Sequence, residues 1–131
     1  MKLPSVEFFN SVEMFFSASY PVQYKLFCSE HPSLTPTSGQ FITDIETLKA
    51  INMRIGEEQW GDYEFAIAGK RHPKDGSQFW GELLPFYFDE SEIYGFPIDG
   101  SGSDIVHVWR VHTIVHSYPS LSAFLTDHFH A

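Results

Sequence analysis

Seven histidines, one cysteine and seventeen carboxylates are the groups in this 131-residue chain with the most scope for chemistry. Metal binding needs ligands brought together at fixed spacing. His107 and His112 differ by an odd number, so a regular strand points them to opposite faces. His112 and His116 share parity, but the strand is expected to end between them. His128 and His130 stand at a helix end with one residue between them and point apart. There is no HExxH stretch and no cysteine pair. Asp99 to Asp104 looks like half of a calcium loop. The twelfth position, where such a loop needs Glu, is Arg110. Gly100 and Gly102 suit a hairpin that needs positive φ. No metal and no cofactor is expected.

Asp89, Glu90, Glu92 and Asp99 could supply the two carboxylates of a glycoside hydrolase. That chemistry needs one carboxyl buried and one solvated, facing across a cleft. Asp-Glu-Ser-Glu reads instead as a solvated turn between strands, and a small carboxylate-dependent hydrolase stays an alternative. No GxSxG elbow and no glycine-rich phosphate loop is present. Cys28 falls on the apolar side of an expected helix and reads as a packing residue. A lone cysteine cannot form an internal disulfide, which suits a reducing compartment. The chain therefore reads as a binding module, not an enzyme, with no catalytic residue.

The elements that must position these groups follow from periodicity. Phe8, Phe9, Val12, Phe15 and Phe16 give a helix over 5–17 one broad apolar face. A second helix is expected over 20–31, with Pro21 in its first turn and Pro32 ending it. Residues 32–40, with two prolines and a glycine, read as a loop. A third helix spans 44–56, with Thr43 and Glu46 as a capping box and Gly56 as its stop. From residue 60 the pattern turns to strands: around Glu64–Ala68, Phe79–Phe88 interrupted by Pro85, Ile93–Ile98 and Ile105–His112. Residues 70–77 and 99–104 are turns. A closing helix is expected at about 119–129, starting at Pro119 and buried through Leu121, Phe124, Leu125 and Phe129. Short connections favour an antiparallel meander. The fold class is α+β: an antiparallel or mixed sheet of about four to six strands against N-terminal helices and a C-terminal helix, in one domain over 1–131.

The formal net charge is -9. Residues 1–56 hold five acids and four bases, residues 57–104 eleven and three, and residues 105–131 one of each. The middle third thus carries nearly all of the charge. Such a field repels phosphate, so no nucleic-acid partner is expected. It either keeps the surface soluble or speeds encounter with a basic protein. No run is long enough to span a bilayer, and Met1-Lys2-Leu3-Pro4-Ser5 lacks the pattern of a secretory signal. No membrane association and a cytoplasmic location are expected.

Five stretches, in order, resemble motifs of the SUKH superfamily, the Smi/Knr-like proteins. Tyr20-Pro21-Val22-Gln23-Tyr24-Lys25-Leu26-Phe27 is similar to the family's Leu-Pro-x-x-Tyr-Lys-x-Phe helix opening. Leu83-Leu84-Pro85-Phe86 resembles its Phe-Leu-Pro-Phe strand. Tyr94 to Asp99 lies where the family has Tyr-x-Phe-Asp. Asp104 to Trp109 resembles Pro-Val-Tyr-x-Trp, and Tyr118 to Phe129 resembles the closing Ser-Phe-x-x-Phe-Leu helix. The family's Asn-Gly-Gly turn is replaced by Ser29 to Leu34, and residues 57–82 match nothing in it. The resemblance implies a sheet packed on helices and a bacterial immunity protein that blocks a cognate toxin, many such toxins being basic nucleases. Asp89, Glu90, Glu92, Asp99 and Asp104 are the expected partner-binding acids, on neighbouring strands and turns, with Trp80 and Tyr94 as aromatic anchors. A regulatory or scaffold module of the same fold is the alternative; the oligomeric state is left open.

Overall fold

The first helix, α1 (Val6–Phe16), forms where the phenylalanine periodicity places it, and it buries Phe8, Phe9 and Val12. The Ser5 hydroxyl accepts a hydrogen bond from the Phe8 backbone N–H at 3.2 Å, satisfying one of the free donors at its start. Residues 2–16, 18–30, 35–36, 38–60, 83–97, 101–110 and 113–130 are described in this computed structural model. Helix α2 (Val22–Ser29) follows Pro21, which stands one residue before its first turn, and buries Tyr24 and Cys28.

Residues 32–40, expected as loop, contribute to two short strands: β1 (Thr35–Pro36) and β2 (Gln40–Phe41). Two-residue strands leave no periodic signal, so only tertiary pairing reveals them. Helix α3 (Ile45–Trp60) differs from expectation at both ends. Its cap is Asp44, not Thr43: the Asp44 carboxylate accepts from the Thr47 backbone N–H at 2.8 Å and from the Thr47 hydroxyl at 2.9 Å. These donors hold the Asp44 carboxyl below its ordinary pKa. Nor does Gly56 end the helix. A mid-helix glycine costs about 1 kcal/mol, and Glu57, Glu58 and Gln59 beyond it are good helix formers.

Among the described residues four further strands join the sheet: β3 (Leu83–Phe88), β4 (Ile93–Pro97), β5 (Val106–Arg110) and β6 (Thr113–Tyr118). Then come α4 (Leu121–His128) and β7 (Phe129–His130). The expected strand at Glu64–Ala68 and the turn at 70–77 lie outside the described residues. Strand β6 was not expected, although Thr113-Ile114-Val115 is a β-branched run. The closing helix starts later than Pro119: Ser120 is its cap, its hydroxyl accepting from the Ala123 N–H at 3.1 Å.

Among the described residues the main sheet has five strands in the order β2-β3-β4-β5-β6, every neighbour antiparallel, and a separate pair joins β1 to β7. This is the α+β architecture the sequence predicts, with the sheet wholly antiparallel. Pro85 sits inside β3, where a proline normally removes a ladder bond. Here β2 reaches only as far as Phe41, with Ile42 N–H bonding the Phe86 carbonyl at 2.9 Å. The register also shifts between Pro85 and Tyr87. The Pro85 carbonyl accepts instead from the Tyr20 hydroxyl at 2.6 Å.

The core is largely aromatic. Tyr94 and Phe96, two apart in β4, point to one face. Phe86 stacks on Phe96 at 4.3 Å between ring centroids, and also meets Tyr24 of α2 and Phe124 of α4 edge-on. One sheet face therefore carries both helices, and Phe9 of α1 joins through Tyr24. Ring pairs of this kind contribute roughly 0.5–1.5 kcal/mol each beyond the area they bury.

Candidate functional site

The four residues between β3 and β4 bring three carboxylates to one end of the sheet. The turn is built from its own side chains. Asp89 Oδ1 accepts from the backbone N–H of Ser91 at 2.9 Å and of Glu92 at 2.8 Å, while the Asp89 N–H bonds the Glu92 carbonyl at 3.0 Å. Asp89 is thus a turn former, the local bond that makes aspartate favourable in turns. Glu92 also works inward. Its Oε2 meets Arg110 Nη2 at 2.7 Å, and its Oε1 accepts from the Tyr94 hydroxyl at 3.0 Å. The Glu92 side chain is 20% exposed and that of Arg110 54%, so the pair is half-sheltered and worth little on its own. Glu90 is exposed and unrestrained by any described contact, so its charge faces solvent.

Beside the turn lies a groove of about 620 Å³ lined by Phe88, Asp89, Glu90 and Ser91 on one side and Ser38, Gly39 and Gln40 on the other. Gly39 makes this approach feasible. Its φ is +85°, and a Cβ there would stand 2.5 Å from the Phe88 carbonyl oxygen. The Tyr87 hydroxyl donates to the Ser38 carbonyl and ties the two walls together. The groove wall at 38–40 has no local signal in the sequence, because the contact joins segments about 50 residues apart.

The expected acids do not share one face. Strands β3 and β5 run toward this end and β4 and β6 away from it. Asp104 precedes β5 and therefore lies at the opposite end, on the order of 15 Å away at the usual rise per residue. There its Oδ2 accepts from the Leu121 N–H at 3.2 Å, at the start of α4, where the helix dipole favours a carboxylate. Tyr94 is a core residue, 2% exposed, and not an exposed anchor. Strand alternation and its contact with Phe124 turn it inward. Burial, with Glu92 accepting its proton, pushes the Tyr94 hydroxyl pKa well up. Asp99 and Trp80 lie outside the described residues. Arg110, which holds Glu92, is the residue the sequence reading missed; as the lone base in its segment it carried a signal.

Among the described residues no three His, Cys, Asp or Glu are placed to hold a metal ion. His107 Nδ1 lies 2.7 Å from Ser117 Oγ across β5 and β6. Cys28 is buried, and desolvation pushes its thiol up to about 12, so it is a neutral thiol at physiological pH. A second groove, about 610 Å³, runs between α1 and α2 beside Val6, Val22 and Leu26. Among the described residues no helix is long and apolar enough to cross a membrane. No family model, no curated protein and no solved structure matches the chain.

Proposed function

We propose that this protein is a protein-binding module, a divergent SUKH-like immunity protein that occludes a basic toxin domain with the acidic end of its sheet. The observation that carries the reading is the ordered turn at Asp89–Glu92. Its backbone is fixed by Asp89 and its flank by the Glu92–Arg110 pair, so the backbone that presents Glu90 is ordered before binding and only the side chain has freedom to lose. Among the described residues, three carboxylates of the turn stand against one guanidinium. A rigid anionic edge beside an open groove suits a cationic surface, attracting it by long-range field and then filling it. The five motif stretches support the same reading, since they fall on or beside α2, β3, β4, β5 and α4 in order. No residue is assigned a catalytic role, and the module acts by covering its target.

The test is capture by the full chain from a lysate of the source organism, washed at low and at moderate salt. A retained basic protein should be released by salt, and its toxic activity should fall when the pure chain is added back. Retention of no basic protein at low salt, or a captured protein whose activity the chain leaves untouched, would overturn the proposal.

A further inference from the structure

Arg110 stands across the sheet from Glu92. Ile93 of β4 pairs with Trp109 of β5, so one step on, at the acidic end, the two side chains meet. Their contact is a single short one, Arg110 Nη2 to Glu92 Oε2 at 2.7 Å. Its two sides differ. The Glu92 carboxylate is largely sheltered, and its other oxygen accepts from the buried Tyr94 hydroxyl. Arg110 is exposed at the last position of its strand. The carboxylate is thus fixed from within, and the guanidinium is the side with room to leave. An exposed arginine gives up rotamer freedom to hold such a pair, so the pair is weak.

The charge around the pair favours a cation at Glu92, whichever molecule supplies it. The Tyr118 hydroxyl donates to Asp127 Oδ2 of α4 at 2.6 Å. Burial first, then Asp127 and then Glu92, push the Tyr118 hydroxyl up to about 12. Burial, then Glu92, Asp89 and Tyr118, push the Tyr94 hydroxyl well up. The two hydroxyls therefore lie in one anionic field and both remain donors at neutral pH. Each satisfies one carboxylate oxygen, and at Glu92 the other is the one that Arg110 takes.

Resting on the reading of this end as the partner's contact, we propose that Arg110 is a built-in competitor: its guanidinium occupies Glu92 in the free chain, and a cationic side chain of the partner takes its place on binding. Tyr94 keeps the carboxylate in position during the exchange. Arg110 then sets specificity, because a partner reaches Glu92 only by displacing a like charge. Weakly basic surfaces are held off and a strongly basic one succeeds.

The probe is a blocked hexa-arginine peptide, titrated at low salt into the isotope-labelled full chain and followed by NMR. Amides of 89–94 should shift, and the Arg110 Nε–H signal should move toward that of a free arginine side chain. Arg110→Gln should bind the peptide about threefold or more tighter than the wild type. Lys25→Gln makes the same change in net charge on α2, where Lys25 faces Glu13, and should gain much less. In a Glu92→Gln background the gain from Arg110→Gln should shrink to that of Lys25→Gln. Near-UV circular dichroism checks that each variant is folded, and if Arg110→Gln is not, the Arg110 signal of the wild type decides. An Arg110 signal that stays in place while 89–94 shift would overturn the proposal. So would an Arg110→Gln gain no larger than that of Lys25→Gln, or one that survives in full without Glu92. Each of these leaves the acidic end as a cation contact. A peptide that shifts no amide of 89–94 in the wild type or in Arg110→Gln would remove that end as a contact, and this proposal with it. Failed capture from the lysate beside the expected peptide results would strike the toxin reading alone.

Discussion

Between β3 and β4 the chain places three carboxylates within four residues, while β6, at the edge of the same sheet, carries no formal charge over six. The two regions invert what exposure and charge usually suggest. At the turn, Asp89 and Glu92 bond within the molecule and only Glu90 is left facing out. At β6, Ile114 and Val115 are apolar and exposed. A count of acids therefore overstates the charge offered to a partner, and a hydrophobic strand need not be core. The difference comes from position: a turn can fold its side chains onto its own backbone donors, whereas among the described residues only β5 pairs with β6.

Both regions stand on the same aromatic core, so the largest effect comes from removing that support. Phe86 touches β4, α2 and α4 through its ring. Phe86→Ala should cost about 3–5 kcal/mol, read as a lower urea midpoint, and should erase the contrast between turn and edge by loosening both. A loss under about 1 kcal/mol would mean that the ring stack is not the support described.

Alkaline pH separates the regions from their surroundings less drastically. Burial pushes Tyr87, below the turn, and Tyr118, at the end of β6, up from 10.0 to about 12, and Cys28 from 9.0 to about 12. Each group holds its proton more tightly folded than unfolded. Their stabilisation is complete below the unfolded values and is lost as pH rises through about 12. Tyrosinate absorbance should grow together with loss of near-ultraviolet dichroism in that range. Ionisation of every tyrosine near pH 10 in a folded chain would contradict the burial.

Smaller effects should come from the turn itself. Asp89→Ala removes the acceptor of two backbone N–H groups and should cost about 1 kcal/mol. Glu92→Gln keeps an acceptor for Tyr94 but loses the ion pair, and should cost less, roughly 0.2–1 kcal/mol. Thermal melts of the two variants rank them. The reverse order would show that the Arg110 pair, and not the Asp89 turn, organises this end.

Much of the fold was legible from periodicity. The apolar stripe at Phe8, Phe9 and Val12 gave α1 within a residue at each end, the β-branched run from Ile105 located β5, and the candidate at Ile93–Ile98 is β4. Strand β6 was missed because His112 to His116 was read through its histidines, where the β-branched residues between them decide the structure. Asp44 displaced Thr43 as a cap because cap choice turns on backbone geometry one residue away. The acids of the candidate site were legible as residue types, and the antiparallel meander already implied that the turn at 89–92 and the connection at 99–104 lie at opposite ends. The pairing of β4 with β5 agrees, and Asp104 stands away from Glu90. The inward turn of Tyr94 likewise follows from register.

The central claim is that a partner meets the Glu90 end of the sheet. Glu90→Gln and Asp104→Asn remove the same charge at opposite ends, and neither should shift stability by more than about 1 kcal/mol. The decisive measurement is the affinity of the captured basic partner for these two variants and the wild type, followed at low salt. Weakened binding with Glu90→Gln and unchanged binding with Asp104→Asn is the predicted result. Equal losses in both would reduce the role of the acids to net charge alone, and a loss confined to Asp104→Asn would place the partner at the other end.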